Sequence, residues 1–345
     1  MSQKHSHQYV SPMRANLLAA VFSFLGLSVL FANFDPEPAG ANPGELRIGE
    51  SALSRNEPLP VFDIDLPSES MVDLNQTAVD VETGSETKTV STDSSMGNVS
   101  AQPRGLSGRY ALLMNILMLE KGVEFLSNVH SYTATFTKAE RLDDGEIEDQ
   151  VTSLKVRQKP YSVYMKWATG DKGRELIYVD GANDGNMLVK LGGLKGRFLP
   201  TLRLDPFGSR AMAECRHPVT TAGIAQAAQE LLRYRRKDLT QTEGVDCRML
   251  EDQPFDGRSC YCYMVQYKDP KYCAEYRRSI VYIENKNMLP VQICNYQWVE
   301  NADTMSPEEL ADASICEDYR YTNIKMGLQL ADADFDKNHE SYGFK

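Results

Sequence analysis

The residues best suited to chemistry crowd together ahead of Pro218, where Asp205, Glu214, Cys215, Arg216 and His217 lie within thirteen positions. A thiol two residues from an imidazole suggests a nucleophile beside its base, although spacing along the chain does not by itself bring the two side chains together. The plainer expectation is that Arg216 and His217 hydrogen-bond to backbone carbonyls and hold an irregular loop in place. Other signatures of catalysis are missing from the sequence. It contains no H-E-x-x-H, no G-x-S-x-G and no P-loop. The run GGLKG at 192–196 lacks the phosphate-loop spacing and no strong helix directly follows it, so it reads as a turn-rich loop. No catalytic residue, metal or cofactor is expected; an enzyme using Cys215 and His217 is the last of three readings.

All seven cysteines (Cys215, Cys247, Cys260, Cys262, Cys273, Cys294 and Cys316) fall in the C-terminal half. Disulfides and buried thiols both suit them if the domain is exported. Cys260 and Cys262, two apart on a strand-like run, share one face and would take different partners. A metal site built on them would need further ligands, and there is no second close pair. Glu140-Arg141 and Lys172-Gly173-Arg174-Glu175 read as solvated charges guarding sheet edges.

The elements that must position these residues begin near Leu106. Leu112, Leu113, Ile116, Leu117, Val123, Leu126 and Val129 recur mainly at spacings of three and four, which predicts an amphipathic helix of about 20 residues. The period then changes to two. Tyr132, Ala134 and Phe136 alternate with threonines, and Asp143-Asp144-Gly145 supplies a hairpin turn. Further strands are predicted at 150–158, 161–168 (with Val163, Met165 and Trp167 on one face), 174–180 and 186–191. An irregular stretch runs from Gly192 to Pro218. A second helix starts at Thr220 or Thr221, with Ile224, Ala227, Ala228, Leu231 and Leu232 as its apolar stripe and Arg233, Arg235, Arg236 and Lys237 suiting its C-terminal dipole. Strands follow at 245–250, 258–268, 277–284, 290–299 and 315–326, with a turn at Asn285-Lys286-Asn287. Two helices against nine or ten antiparallel strands give an α+β fold, a strongly curved sheet with the helices over its concave face.

The N-terminal third is of another kind. Residues 15–34 carry no charge over about the length a helix needs to span a bilayer. Lys4 and Arg14 precede this segment while Asp35 and Glu37 follow, which leaves residues 1–14 cytoplasmic and sends the rest outside. The segment is either a transmembrane anchor or a signal peptide cut after Ala32. The domain therefore belongs in the periplasm, held to the cell membrane or secreted. Residues 35–105 hold 13 acidic against 4 basic residues, without sustained hydrophobic periodicity, and read as a disordered acidic linker with a short apolar patch at Leu59–Ile64. The folded domain is thus 106–345. A net charge of -11 argues against nucleic acid as a partner.

Several blocks in one order carry a resemblance: YTATF (132–136), Lys138, Glu140-Arg141, KVRQKPYSVYMKW (155–167), KGRELIYVDG (172–181), GGLKGRFLPTLRLDP (192–206), AMAECRHPVTTAGI (211–224) and LADADFD (330–336). Over about 110–344 the chain resembles the DUF1571 family, an uncharacterised bacterial group found mainly in planctomycetes. The order of elements in that family is similar to the LolA/LolB-like fold of lipoprotein carriers, which implies an incomplete β-barrel with a helical lid over an apolar cavity. No ligand residue of those carriers can be matched individually here.

These readings converge on non-catalytic binding of a lipid, acyl chain or lipoprotein in an apolar cavity. The expected ligand-binding residues are Tyr132, Phe136, Val163, Met165, Trp167, Ile224 and Leu231, with the second helix as lid. A membrane-tethered protein-interaction or envelope-sensing module, with a membrane-protein partner, is the alternative.

Overall fold

The computed structural model describes residues 105–142, 145 and 147–345. The predicted membrane segment, the linker up to residue 104 with its apolar patch, and the turn residues Asp143 and Asp144 lie outside the described residues. Among the described residues, no helix is long and apolar enough to cross a membrane.

Among the described residues, twelve strands form one antiparallel sheet. They are β1 (Gly105–Ser107), β2 (Ser131–Arg141), β3 (Ile147–Arg157), β4 (Ser162–Trp167), β5 (Glu175–Val179), β6 (Met187–Lys190), β7 (Leu202–Leu204), β8 (Val245–Phe255), β9 (Arg258–Tyr267), β10 (Arg278–Glu284), β11 (Pro290–Tyr296) and β12 (Ile315–Leu328). Their order is β1-β8-β9-β10-β11-β12-β2-β3-β4-β5-β6-β7, so two meanders, β2–β7 and β8–β12, join where β12 pairs with β2. The sheet is open, with β1 and β7 at its ends. Register shifts in β12 between Thr322 and Lys325 and between Met326 and Leu328 coincide with left-handed backbone at Asn323 and Gly327. Such bulges bend a strand and sharpen its twist.

The long helices α1 (Gly108–Ser127) and α4 (Ile224–Leu239) pack against each other and against the sheet. Leu112, Ile116 and Leu119 of α1 meet Leu231 and Leu232 of α4 over Met249, Tyr263, Val265, Ile283 and Ile293. Each of these buried aliphatic or aromatic side chains contributes about 1.5–3 kcal/mol relative to exposure. On the other face of β4–β6, Tyr164, Ile177 and Leu188 form a second cluster with Phe335, Tyr342 and Phe344 of the C-terminal segment. Tyr164 and Tyr342 stack at 4.0 Å, and Lys155 and Arg157 pair with Asp334 and Asp332 at 2.8 and 2.6 Å. The LADADFD block is therefore a strap across the back of the sheet.

The structure departs from the sequence expectations in several places, beginning with the strand count, twelve where nine or ten are expected. The second long helix starts at Ile224, after a single 3-10 turn at Val219–Thr221, because Gly223 at its N-cap has φ 97°, outside helical space. The stretch from Gly192 to Pro218 contains α2 (Lys195–Phe198), the edge strand β7 and α3 (Ser209–Met212). A further helix, α5 (Pro307–Ser314), is set by a capping box: Glu309 N–H donates to Ser306 Oγ at 3.2 Å and Ser306 N–H to Glu309 Oε2 at 2.9 Å. The last predicted strand of the 290s stops at Tyr296.

Candidate functional site

The sheet alternation sends Phe136, Lys138 and Glu140 of β2, Met165 and Trp167 of β4, Ser279 of β10, Ile293 and Asn295 of β11, and Glu317, Tyr319 and Tyr321 of β12 toward one space. Helix α4 and the 211–222 loop supply the facing wall. The result is a cavity of about 670 Å³, within the range of small-molecule sites. Its floor toward β4–β6 is apolar, formed by Met165, Trp167, Leu176 and Met187. Its other end is polar and is built around two buried carboxylates.

Glu317 is 1% exposed at its side chain. It accepts from Arg216 Nε at 2.8 Å and from Asn295 Nδ2 at 2.7 Å, and the Tyr276 hydroxyl donates to both its oxygens at 3.1 Å. His217 Nε2 lies 3.0 Å from the same carboxylate. Burial on its own would raise the Glu317 pKa. The hydrogen bonds from His217, Asn295 and Arg216 outweigh that and hold it at about 2. His217 responds reciprocally: desolvation lowers its pKa, but the Glu317 carboxylate more than compensates and the net shift is upward. Glu140 accepts from Lys138 Nζ at 2.9 Å, from the Arg216 backbone N–H at 3.1 Å and from the Tyr319 hydroxyl.

These contacts correct two expectations. Glu140 is buried and paired within the fold, not solvated at an edge, and so is Glu175, which takes the Gly343 N–H at 3.0 Å and Lys190 at 3.5 Å. Arg216 and His217 do fix the loop, but they do so chiefly on a carboxylate; Arg216 Nη1 reaches one carbonyl, that of Arg141, at 3.2 Å.

The 211–222 loop is tied down elsewhere by tyrosines. The Tyr161 hydroxyl sits 2.6 Å from the Ala222 carbonyl and 3.2 Å from that of Val219, and the Ile224 N–H donates to the Tyr132 hydroxyl at 2.7 Å. A Cβ on Gly223 would lie 2.6 Å from that hydroxyl, so the close approach requires glycine as much as the φ does. Arg174 pairs with Glu214 and stacks 5.1 Å from Trp167, closing the side near β4.

Of the sequence-predicted site residues, Phe136, Met165, Trp167 and Leu231 line this cavity. Tyr132, Val163 and Ile224 are fully buried and outside its lining, with the Tyr132 hydroxyl against the Ile224 N–H at the start of α4. Sequence reasoning missed Glu317, Asn295, Ser279, Tyr276 and Tyr319. One signal was available: Glu317, Tyr319 and Tyr321 share a strand face, and a carboxylate in an aromatic stripe is out of place unless paired.

Cys215 and His217 both border the cavity, yet among the described residues no hydrogen bond joins them. The Cys215 thiol faces the Ala211 carbonyl at 3.3 Å, and burial pushes its pKa up, the reverse of what an activated nucleophile needs. All seven cysteines are free, six of them buried. Among the described residues, no cluster of His, Cys, Asp and Glu is arranged to hold a metal ion.

Residues 129–344 match the family model described as a protein of unknown function, DUF1571. The chain belongs to the DUF1571 family. No curated protein matches it. Solved structures similar to this DUF1571 chain include the Mycobacterium tuberculosis lipoprotein LppX, at 14% identity and TM-score 0.37 over 65% of this chain and 99% of that one. A putative outer membrane lipoprotein-sorting protein domain from Vibrio parahaemolyticus matches at 14% identity and TM-score 0.27, over 64% and 96% of the two chains. A LolA superfamily protein from Nitrosomonas europaea matches at 12% identity and TM-score 0.27, over 65% and 97%.

Proposed function

We propose that this DUF1571 domain is a non-catalytic, extracytoplasmic binder of a lipid or acyl chain, held in the cavity between α4 and the sheet. The observation that carries the reading is the cavity itself: about 670 Å³ of space with an apolar floor and a polar end. α1 and α4 then lie over the concave face of the sheet, with α4 and the 211–222 loop as the lid. Phe136, Met165, Trp167 and Leu231 touch the chain of the ligand. Tyr132, Val163 and Ile224 hold the lid's hinge end in place. Burying an acyl chain of ordinary length offers a gross gain on the order of 10 kcal/mol at ~0.8 kcal/mol per methylene, from which ordering and lid opening are subtracted. The uncharged segment at 15–34 supports delivery of the domain across the membrane.

The test is to express the full chain in a host that exports it, and to analyse organic extracts of the purified protein by mass spectrometry. Thermal stability is measured before and after delipidation. Stoichiometric lipid whose removal lowers the melting temperature is the expected result; a clean protein that also ignores added lipids overturns the reading.

A further inference from the structure

Four large apolar side chains stand in water around β7, the strand at one end of the sheet. Leu194, Phe198, Leu199 and Phe207 are exposed, the two phenylalanines to 84% and 67%. The first three precede β7 and Phe207 lies in the turn after it. Single exposed apolar residues are ordinary, but four so close in sequence make a surface. The segment that carries them is braced. Gly196 packs so closely on the Leu191 carbonyl that a Cβ there would collide with it. Lys345 clamps the next stretch, its Nζ donating to the Arg197 carbonyl at 2.5 Å and its backbone N–H to Thr201 Oγ1 at 3.0 Å. Asp205 fixes the turn by accepting from the Phe207 N–H at 2.9 Å.

The charge around these side chains is opposite to that of the chain. Residues 194–210 hold Lys195, Arg197, Arg203 and Arg210 against Asp205 alone, in a protein of net charge -11. Arg203 is paired with Asp184 at 2.8 Å, while Arg197 and Arg210 are exposed. Aromatic and aliphatic side chains set among cations suit the headgroup layer of a bilayer, where the apolar groups reach the acyl boundary and the cations meet anionic heads. The other exposed apolar stripe, Leu106, Tyr110, Leu113 and Leu117, has no such bias, because Arg109 and Lys121 stand beside Glu120 and Glu124. The β7 edge also adjoins the cavity. Leu204 pairs with Met187 of its floor, and Pro206, directly before Phe207, lines it together with Ala211. We infer that the β7 edge is a membrane-docking surface for anionic bilayers, with Leu194, Phe198, Leu199 and Phe207 entering the headgroup layer beside the cavity. The inference goes beyond the lipid-binding reading and does not require a lipid inside the cavity.

The experiment puts an indole on this surface. Phe207→Trp in the full chain is mixed with vesicles of phosphatidylcholine, alone or with phosphatidylglycerol, with and without brominated acyl chains. Reading one position separates docking of this edge from any insertion of the 15–34 segment, and subtracting the wild-type signal removes Trp167 and Trp298. The introduced indole should shift to the blue and be quenched by bromine, several-fold more strongly with phosphatidylglycerol. Arg197→Ala with Arg210→Ala should weaken binding about fivefold per charge removed, read as the lipid concentration at half-maximal quenching. Both arginines are exposed, so the melting temperature of that variant should match wild type. An unquenched indole, equal quenching on the two vesicle types, or half-maximal quenching unmoved by the arginine substitutions overturns the inference. If the indole is unquenched and sedimentation shows a dimer that Phe198→Ser with Phe207→Ser abolishes, the surface belongs to a second copy of the chain. Organic extracts test the cavity reading separately, so either can fail alone.

Discussion

Glu140 on β2 and Glu317 on β12 are direct partners across the central strand pair, and both are buried. Like charges placed opposite each other in a sheet repel, and burial strengthens the repulsion. The pair is tolerated because Arg216 bridges it, giving its backbone N–H to Glu140 and its guanidinium to Glu317, while Lys138 and His217 add charge on either side. The loop that walls the cavity is thereby fastened to the one place where the two meanders of the sheet meet.

Removing one charge from this arrangement should be costly. Glu317→Gln keeps the shape of the side chain but strips Arg216 and His217 of their counter-charge. Breaking a fully buried pair costs about 3–5 kcal/mol, and the part-exposed Arg216 and His217 reduce this to about 2–3 kcal/mol. Urea unfolding should show the loss as a lower midpoint; a midpoint within error of wild type would mean the cluster does not secure the loop.

The same cluster sets a pH dependence. The folded-state pKa of His217 lies above its ordinary value near 6.5, so the native protein holds a proton that the unfolded chain releases. The stabilisation is complete below that ordinary value and is lost as pH rises through the folded one. Glu317 works in the opposite sense. Its pKa is held at about 2, so its contribution is present above the usual carboxylate range and disappears as pH falls toward 2. Melting temperature should therefore decline above neutrality in wild type, and decline less in His217→Gln. Parallel profiles for the two proteins would remove His217 as the cause.

The sequence predicts Tyr132 as a ligand-facing aromatic, and in the structure its side chain is fully buried. Its hydroxyl takes the Ile224 N–H at the start of α4. Tyr132→Phe leaves that buried N–H without a partner, a loss of about 1–3 kcal/mol. Gly223→Ala should cost at least as much, since it combines φ 97° with a Cβ pressed against the same hydroxyl. Thermal unfolding of each variant checks both. An unchanged melting temperature in Tyr132→Phe would show that this hydrogen bond does not hold the start of α4.

Periodicity made most of the fold legible. Alternation along β2 and β4 separated Met165 and Trp167 from Tyr164, and the spacing of three and four found α1 and put Leu112, Ile116 and Leu126 on its buried face, although Leu113 and Leu117 of the same stripe are exposed while Met118 and Leu119 are buried. What escaped was set by other forces. β7 is three residues long, too short for a period, and is held by pairing with β6. α5 has no apolar stripe and depends on Ser306, Pro307 and Glu309, a cap signature that a search for hydrophobic repeats passes over. The polar end of the cavity could not be read from local sequence, because Glu140, Arg216 and Glu317 are separated by 76 and 101 positions and meet only through the β2–β12 pairing.

Filling the cavity should separate binding from folding. Ala227 sits on the cavity side of α4 and is only partly buried. Ala227→Phe projects a ring into the space an acyl chain would occupy, and an aromatic side chain is tolerated in a helix at a modest propensity cost of under about 1 kcal/mol. Co-purified lipid should fall well below stoichiometric in the variant while the melting temperature of the delipidated protein changes little. Full lipid occupancy in Ala227→Phe would place the ligand elsewhere.

The cysteines offer a direct test between the binding reading and the enzyme reading. All seven are free thiols, and only Cys215 is partly exposed. Burial raises its pKa, and for Cys247, Cys262 and Cys316 the same desolvation carries it up to about 12. The thiolate is the reactive species, so at neutral pH the native protein should consume a thiol reagent slowly and at one site, with all seven thiols titrating once guanidinium unfolds the chain. An activated Cys215 would behave differently. It would react faster than a free cysteine and retain that rate below neutrality, because a nearby base would hold it as thiolate. Following alkylation of the native protein across pH distinguishes the two: a rate that rises only on the alkaline side fits a lid residue of a binding cavity, and a fast, pH-flat reaction would show that the Cys215 loop carries chemistry after all.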